Sequence, residues 1–122
     1  MSKSMGEMRE PTYFVLAALL DGPLHGYAII QRAAEISDNR VRLATGTLYT
    51  ALDRLTAEGF VRLVSEEVIN GRARRSYGLT DSGAAALTAE AARMEQAAAV
   101  VTGRLRHQDA AVSRGRGREC PA

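Results

Sequence analysis

The chain has 122 residues, 46% hydrophobic and 25% charged, with a formal net charge of +2. That length suits one small domain with an appended element and excludes two full domains. A single cysteine, Cys120, excludes an internal disulfide framework or a four-ligand zinc site, and no apolar run approaches the ~18 residues of a membrane span.

The N-terminal MSKSMGEMREP has no apolar stretch of the signal-peptide type, so a cytoplasmic chain is expected. Aromatic content is 5% and there is no Trp, so the core must come from Leu, Val, Ile and Ala. Such a core is thin, which favours oligomerisation. Lys3 is the sole lysine, so nearly all positive charge is arginine, the side chain that grips phosphate bidentately. Residues 40–79 hold seven arginines (Arg40, Arg42, Arg54, Arg62, Arg72, Arg74, Arg75) against four acids. Residues 80–102 are acidic instead, with Asp81, Glu90 and Glu95 against Arg93.

Residues 1–9 read as a flexible leader. EPTYFVLAALLDGP follows, with Pro11 suited to a first helical position and Gly22-Pro23 as a stop. Its middle is almost wholly apolar, which predicts a helix buried on most sides. In LHGYAIIQRAAEIS, Tyr27, Ile30 and Ala34 recur at helical spacing, predicting a second helix over about 25–36. Gly26 near its start permits close helix packing, and Ser37-Asp38-Asn39 reads as a turn.

A third helix is expected from Thr45, its N-cap, to Gly59, its stop. Leu48, Leu52 and Leu55 form the buried stripe, and Thr47, Thr50, Asp53 and Arg54 lie off it. The period then changes to two. Val61, Leu63 and Ser65 alternate with Arg62, Val64 and Glu66, and ARRSYGL follows Asn70-Gly71. Asn-Gly between such runs is a strong hairpin signal, predicting strands near 61–69 and 73–79 with Arg72, Arg74 and Arg75 at the tip.

A last helix is expected after Thr80 or Asp81 as N-cap. Leu87, Ala91, Met94, Ala98, Val101 and Leu105 make a heptad seam, with many alanines that call for a close partner. About 25 helical residues span ~37 Å, more than so small a body covers. Packing on its own domain is the other explanation of the stripe. Residues 107–122 are rich in Gly and Arg, with Arg114, Arg116 and Arg118, and read as a disordered basic tail. The expected organisation is thus leader 1–9, DNA-binding domain 10–79, dimerisation helix 80–106 and tail 107–122. The fold class is mainly α with a two-stranded β wing: a winged helix-turn-helix plus a long C-terminal dimerisation helix.

In that arrangement the third helix enters the DNA major groove by its N-terminal residues. Hydroxyls and free N–H groups there bind phosphates, and Thr methyls and a Tyr ring can touch thymine methyls or sugars. The expected DNA-binding residues are Arg40, Arg42, Thr45, Thr47, Tyr49, Thr50 and Arg54 around the helix, and Arg72, Arg74 and Arg75 on the wing. Each has a structural alternative: Thr45 as a cap only, Tyr49 half-buried against the wing, the arginines as a solvated hairpin tip.

DGPLHGYAI, TGTLYTALDRLTAEGFV and GRARRSYGLTDSGAAAL together resemble the PadR family of bacterial transcriptional regulators, over residues 10 to about 105. The resemblance implies a winged helix-turn-helix, a C-terminal dimerisation helix of the short subgroup, and repression relieved in some members by phenolic acids, drugs or other small aromatic molecules. It matches Thr47 and Tyr49 to the family's recognition-helix pair, Arg74 and Arg75 to its basic wing residues, and Tyr77 to the aromatic that follows them. Thr45 and Thr50 stand where the family often carries Pro, and Ser76 where an aromatic is common.

The expected function is therefore a sequence-specific DNA-binding regulator, a homodimer on a pseudo-palindromic operator, acting as a repressor with a small aromatic effector. Dimerisation is expected through residues 87–105, helped by Tyr13 and Phe14. The alternative is a protein-interaction module using the C-terminal helix without specific DNA binding. No enzyme, cofactor, metal or membrane role is expected: His25, His107 and Cys120 lack ligand spacing, and no nucleophile–base motif or phosphate loop appears.

Overall fold

A computed structural model describes the backbone of residues 8–119 and the side chains of 8–112. Most of the expected leader, Cys120, and the side chains of Arg114, Arg116 and Arg118 lie outside the described residues. The chain divides into two compact units, Met1–Glu90 and Ala91–Ala122.

The first unit runs α1 (Glu10–Ala18), β1 (Leu24–His25), α2 (Gly26–Ile36), α3 (Thr45–Ala57), β2 (Val61–Ile69), β3 (Arg72–Leu79) and the start of α4 (Asp81–Glu119). Met8, expected in the leader, packs partly buried against the core. Val15, Leu16 and Ala18 of α1 are buried, with Leu19 just beyond them. Ile29 from α2 meets the stripe Leu48, Leu52 and Leu55 from α3, all four fully buried. Val61, Tyr77 and Leu87 complete this core. Tyr27, expected on the apolar face of α2, is instead 66% exposed, and the Gln31 amide donates to its hydroxyl at 3.4 Å.

Helices α2 and α3 end in the same way. After α2 the chain turns left-handed at Asp38, φ 57°. The Asn39 N–H then donates to the Ala34 carbonyl, at 2.7 Å, and the Asp38 N–H to that of Glu35. After α3, Gly59 takes φ 82°, and the N–H groups of Phe60 and Gly59 donate to the Leu55 and Thr56 carbonyls. Both are Schellman closures, which satisfy helix-end carbonyls as the chain leaves. Buried Ser37 holds the intervening turn by accepting from the Val41 N–H at 2.9 Å.

The sheet has the order β1-β3-β2, all antiparallel. Asn70 (φ 51°) and Gly71 (φ 77°) form the hairpin turn, the left-handed pair a type I′ connection requires. The third strand, β1, pairs Leu24 with Tyr77 and His25 with Ser76. Two residues are too few to carry a periodicity, so the sequence pattern predicts only a two-stranded wing. A bulge at Val64 breaks the β2–β3 register between Leu63 and Ser65. The arrangement is a winged helix-turn-helix: α2 and α3 joined by a turn, then the hairpin.

Thr80 caps α4: its hydroxyl accepts from the Gly83 N–H at 3.0 Å and donates to the Gly59 carbonyl at 2.6 Å. Leu87, expected on the dimer seam, is 5% exposed within this unit's own core. A heptad pattern cannot distinguish a seam residue from one that anchors the helix to its own domain, because both recur every 3.5 residues.

In the second unit, α4 continues as helix as far as Glu119, past the expected end near 106. Ala110 and Ala111 favour helix, and no proline intervenes before Pro121. Met94, Ala98, Val101 and Leu105 lie exposed along it, Val101 at 57% and Leu105 at 55%.

A Cβ on buried Gly83 would fall against the Phe60 carbonyl oxygen, which also accepts from the Thr80 N–H. Gly83→Ala is expected to lower unfolding stability by about 1–3 kcal/mol, the usual range for overpacking. Urea denaturation followed by circular dichroism measures it; an unchanged midpoint would show that this turn can yield without cost.

Candidate nucleic-acid interface

The leucine stripe fixes which way α3 faces. With Leu48, Leu52 and Leu55 buried, Thr45, Gly46, Thr47, Thr50, Asp53 and Arg54 are exposed. Thr45 is the first helical residue, not the cap: Ala44 holds the cap position, and no side-chain cap bond forms. The expected cap hydroxyl is therefore uncommitted at the helix start. The first intrahelical bond there runs from the Leu48 N–H to the Ala44 carbonyl. The N–H groups of Thr45, Gly46 and Thr47 precede it and carry the positive end of the helix dipole.

Tyr49 is half-buried, not a free aromatic. Its ring end lies over Gly26 at the start of α2, where any Cβ would collide with it. Gly26 thus allows a close approach, as its sequence context suggests, but by an aromatic ring.

The expected arginines separate by partner. Arg40 pairs with Glu10 at 2.6 Å, tying the helix-turn-helix turn to α1. Arg54 donates to Thr12 Oγ1 at 3.0 Å and lies 3.7 Å from Glu58, so its guanidinium braces α3 to α1. Arg75 Nε donates to Glu66 Oε2 at 3.2 Å. That hydrogen bond and the Glu66 charge, with a lesser contribution from Tyr77, raise the Arg75 pKa further above its ordinary value. Arg74 lies 3.1 and 3.3 Å from the two ring nitrogens of His25. Among the described residues, Arg42 and Arg72 have no ion pair and are exposed.

Tyr77 leaves the expected interface. It is 5% exposed and belongs to the core, opposite Leu24 on one side and Leu63 on the other. A motif aromatic after two arginines gives no sign of which sheet face it takes; the register with β1 decides it. The sequence places His25 only near a helix start. Its approach to Arg74 depends on β1, a strand too short to leave a sequence pattern. Tyr13 and Phe14 stack edge to face, centroids 5.2 Å apart, both half-buried on α1.

Thr45, Thr47, Thr50 and Arg42 are thus exposed at the start of α3, and Arg72 and Arg74 on the wing. Among the described residues no group of His, Cys, Asp or Glu could hold a metal ion, and no helix is long and apolar enough to cross a membrane.

Three comparisons bear on this geometry. The sequence model of the transcriptional regulator PadR-like family matches residues 15–89. A transcriptional regulator of Mycobacterium tuberculosis is 42% identical over 94 residues, covering 76% of this chain and 83% of that protein. Bacillus subtilis PadR, solved in complex with operator DNA, is similar with a TM-score of 0.58 and 30% identity, over 66% of this chain and 46% of that one. A transcriptional regulator from Clostridium thermocellum shares the fold, with a TM-score of 0.62 at 22% identity, over 76% of this chain and 87% of that chain.

Because Tyr77 is core, Tyr77→Ala is expected to cost about 3 kcal/mol or more of stability. Thermal unfolding of the purified variant tests it; a fully stable variant would return Tyr77 to the surface of the wing.

Proposed function

The chain belongs to the PadR-like family of transcriptional regulators, and we propose that it binds operator DNA in a sequence-specific manner as a homodimeric repressor. The observation that carries this reading is the exposed, hydroxyl-rich start of α3 on the same domain as an arginine-bearing wing. Bacillus subtilis PadR, similar in fold, is solved with operator DNA.

In this reading α3 enters the major groove. Thr45, Thr47 and Thr50 present hydroxyls and methyls to phosphates and base edges, with Tyr49 at the margin. Arg42 meets the backbone before the helix, and Arg72 and Arg74 meet it from the wing. Two subunits join through the exposed Met94, Ala98, Val101 and Leu105 of α4. A twofold pair places two recognition helices on half-sites about one DNA turn apart, so the operator is pseudo-palindromic. Repression follows from occupying DNA that polymerase needs. Release by a small aromatic effector is part of the same proposal, by analogy with the family.

The primary test is fluorescence anisotropy with duplex DNA from upstream of the chain's own gene, against a scrambled duplex, over a salt series. Tight binding that prefers the native duplex and weakens steeply with salt is expected. Equal, weak binding to both would remove the operator reading for that site. Arg72→Ala with Arg74→Ala is expected to flatten the log–log salt slope by roughly 1.8, about 0.9 for each phosphate no longer neutralised. An unchanged slope would remove the wing from the interface.

The dimer reading has its own test. Met94→Asp with Val101→Asp puts carboxylates on the exposed stripe without touching the core of the first unit. Sedimentation equilibrium is expected to show a folded monomer, with loss of operator affinity. A surviving dimer would place the interface elsewhere.

A further inference from the structure

Resting on the DNA-binding reading above, we infer that Glu66 withholds Arg75 from DNA, so that the wing meets phosphates through Arg72 and Arg74 and Glu66 limits how strongly the chain holds DNA of any sequence. The inference comes from the register of the hairpin. Side chains alternate across a strand, and cross-strand partners share a face. Along β3, Ala73, Arg75 and Tyr77 take one face; Arg72, Arg74 and Ser76 take the other. Adjacent arginines in the sequence are thus on opposite sides of the sheet.

The two faces have opposite charge. Arg75 lies in a cleft lined by Glu66, Leu63 and Tyr77 of the sheet and by Asp53, Thr56 and Ala57 of α3. Glu66, its cross-strand partner, holds its Nε at 3.2 Å, and Asp53 brings a second carboxylate to the cleft. That cleft is net negative. The other face carries Arg72 and Arg74 against Glu67, the cross-strand partner of Arg74. Arg74 forms no ion pair with Glu67; its guanidinium lies on the His25 ring instead. That face is net positive.

The consequence is a matter of net charge, not of the strength of one surface pair, which is small. A phosphate that took Arg75 would leave Glu66 as an unpaired anion beside the DNA, with Asp53 near it. The tied pair therefore adds no net positive charge to the interface and releases no counterion, so it does not count in the salt dependence. The motif Arg-Ala-Arg-Arg reads as three cations, whereas the folded wing leaves two of those three without a carboxylate partner among the described residues. Muting one cation lowers affinity for DNA of every sequence by a similar factor and leaves base contacts from α3 intact, so base contacts make up a larger share of the binding free energy.

The test uses the full chain and a labelled mixed-sequence duplex, with thermal melts to confirm folding. Anisotropy titrations run from about 0.05 to about 0.3 M salt, a range over which exposed charges become progressively screened. Glu66→Gln is expected to steepen the log–log slope by about 0.9 and to raise affinity, since one more cation then meets a phosphate. Glu66→Gln with Arg75→Ala is expected to return to the wild-type slope, whereas Arg74→Ala flattens it by about 0.9. If the double variant is instead as flat as Arg74→Ala, Arg75 contacts DNA in the wild type and the inference is overturned. It is equally overturned if Glu66→Gln leaves the slope unchanged. Absence of salt-dependent binding by the wild-type chain would be a separate result, because it would overturn the DNA-binding reading itself.

Discussion

Burial of Leu48, Leu52 and Leu55 is the constraint on which the rest of the first unit depends. Three leucines at helical spacing must leave water together, and a helix with 3.6 residues per turn then has only one orientation. Removing that stripe from solvent turns Thr45, Thr47 and Thr50 outward. The core that receives it includes Leu16, Ile29, Val61, Tyr77 and Leu87, drawn from five other elements. The surface proposed to meet DNA is thus a by-product of how the core closes. Both ends of the turn before α3 are held independently of that core, by Ser37 on the backbone of Val41 and by Arg40 on Glu10.

The small sheet does for the wing what the stripe does for the helix. Pairing β1 with β3 draws His25, at the entrance of α2, to the wing, and Gly26 next to it receives the Tyr49 ring from α3. The start of α2 therefore touches both elements that carry the proposed interface. Tyr77 in the core anchors the base of the hairpin, while the type I′ turn fixes its register and, with it, the face each arginine takes. Charge on the wing is consequently decided by pairing and not by composition. Arg75 is tied by Glu66, Arg74 lies against an imidazole, and Arg72 has no ion pair among the described residues.

The second unit presents the opposite situation. Its apolar stripe is legible and exposed, with Met94, Val101 and Leu105 open to water along a helix that continues to Glu119. This exposed apolar row is what the proposed subunit contact rests on. Leu87, four residues before Ala91 on the same pattern, belongs to the domain core instead. One continuous period therefore runs along α4 from a core position to exposed ones.

Periodicity and turn chemistry were enough, in this chain, to predict the helices, the hairpin and their order, while the resemblance of three motif stretches pointed to the family. Those signals are local: a leucine stripe, an Asn-Gly turn and a glycine stop act through neighbouring backbone and need no distant partner. Tertiary structure alone decided the third strand, the burial of Tyr77 and Leu87, the half-burial of Tyr49, the exposure of Tyr27, and the partners of Arg40, Arg54, Arg74 and Arg75. Most of these rest on residues far apart in the chain meeting in space, such as His25 with Arg74 or Thr12 with Arg54. An arginine in a sequence shows its charge; whether that charge is available to a phosphate depends on which carboxylate the fold places beside it.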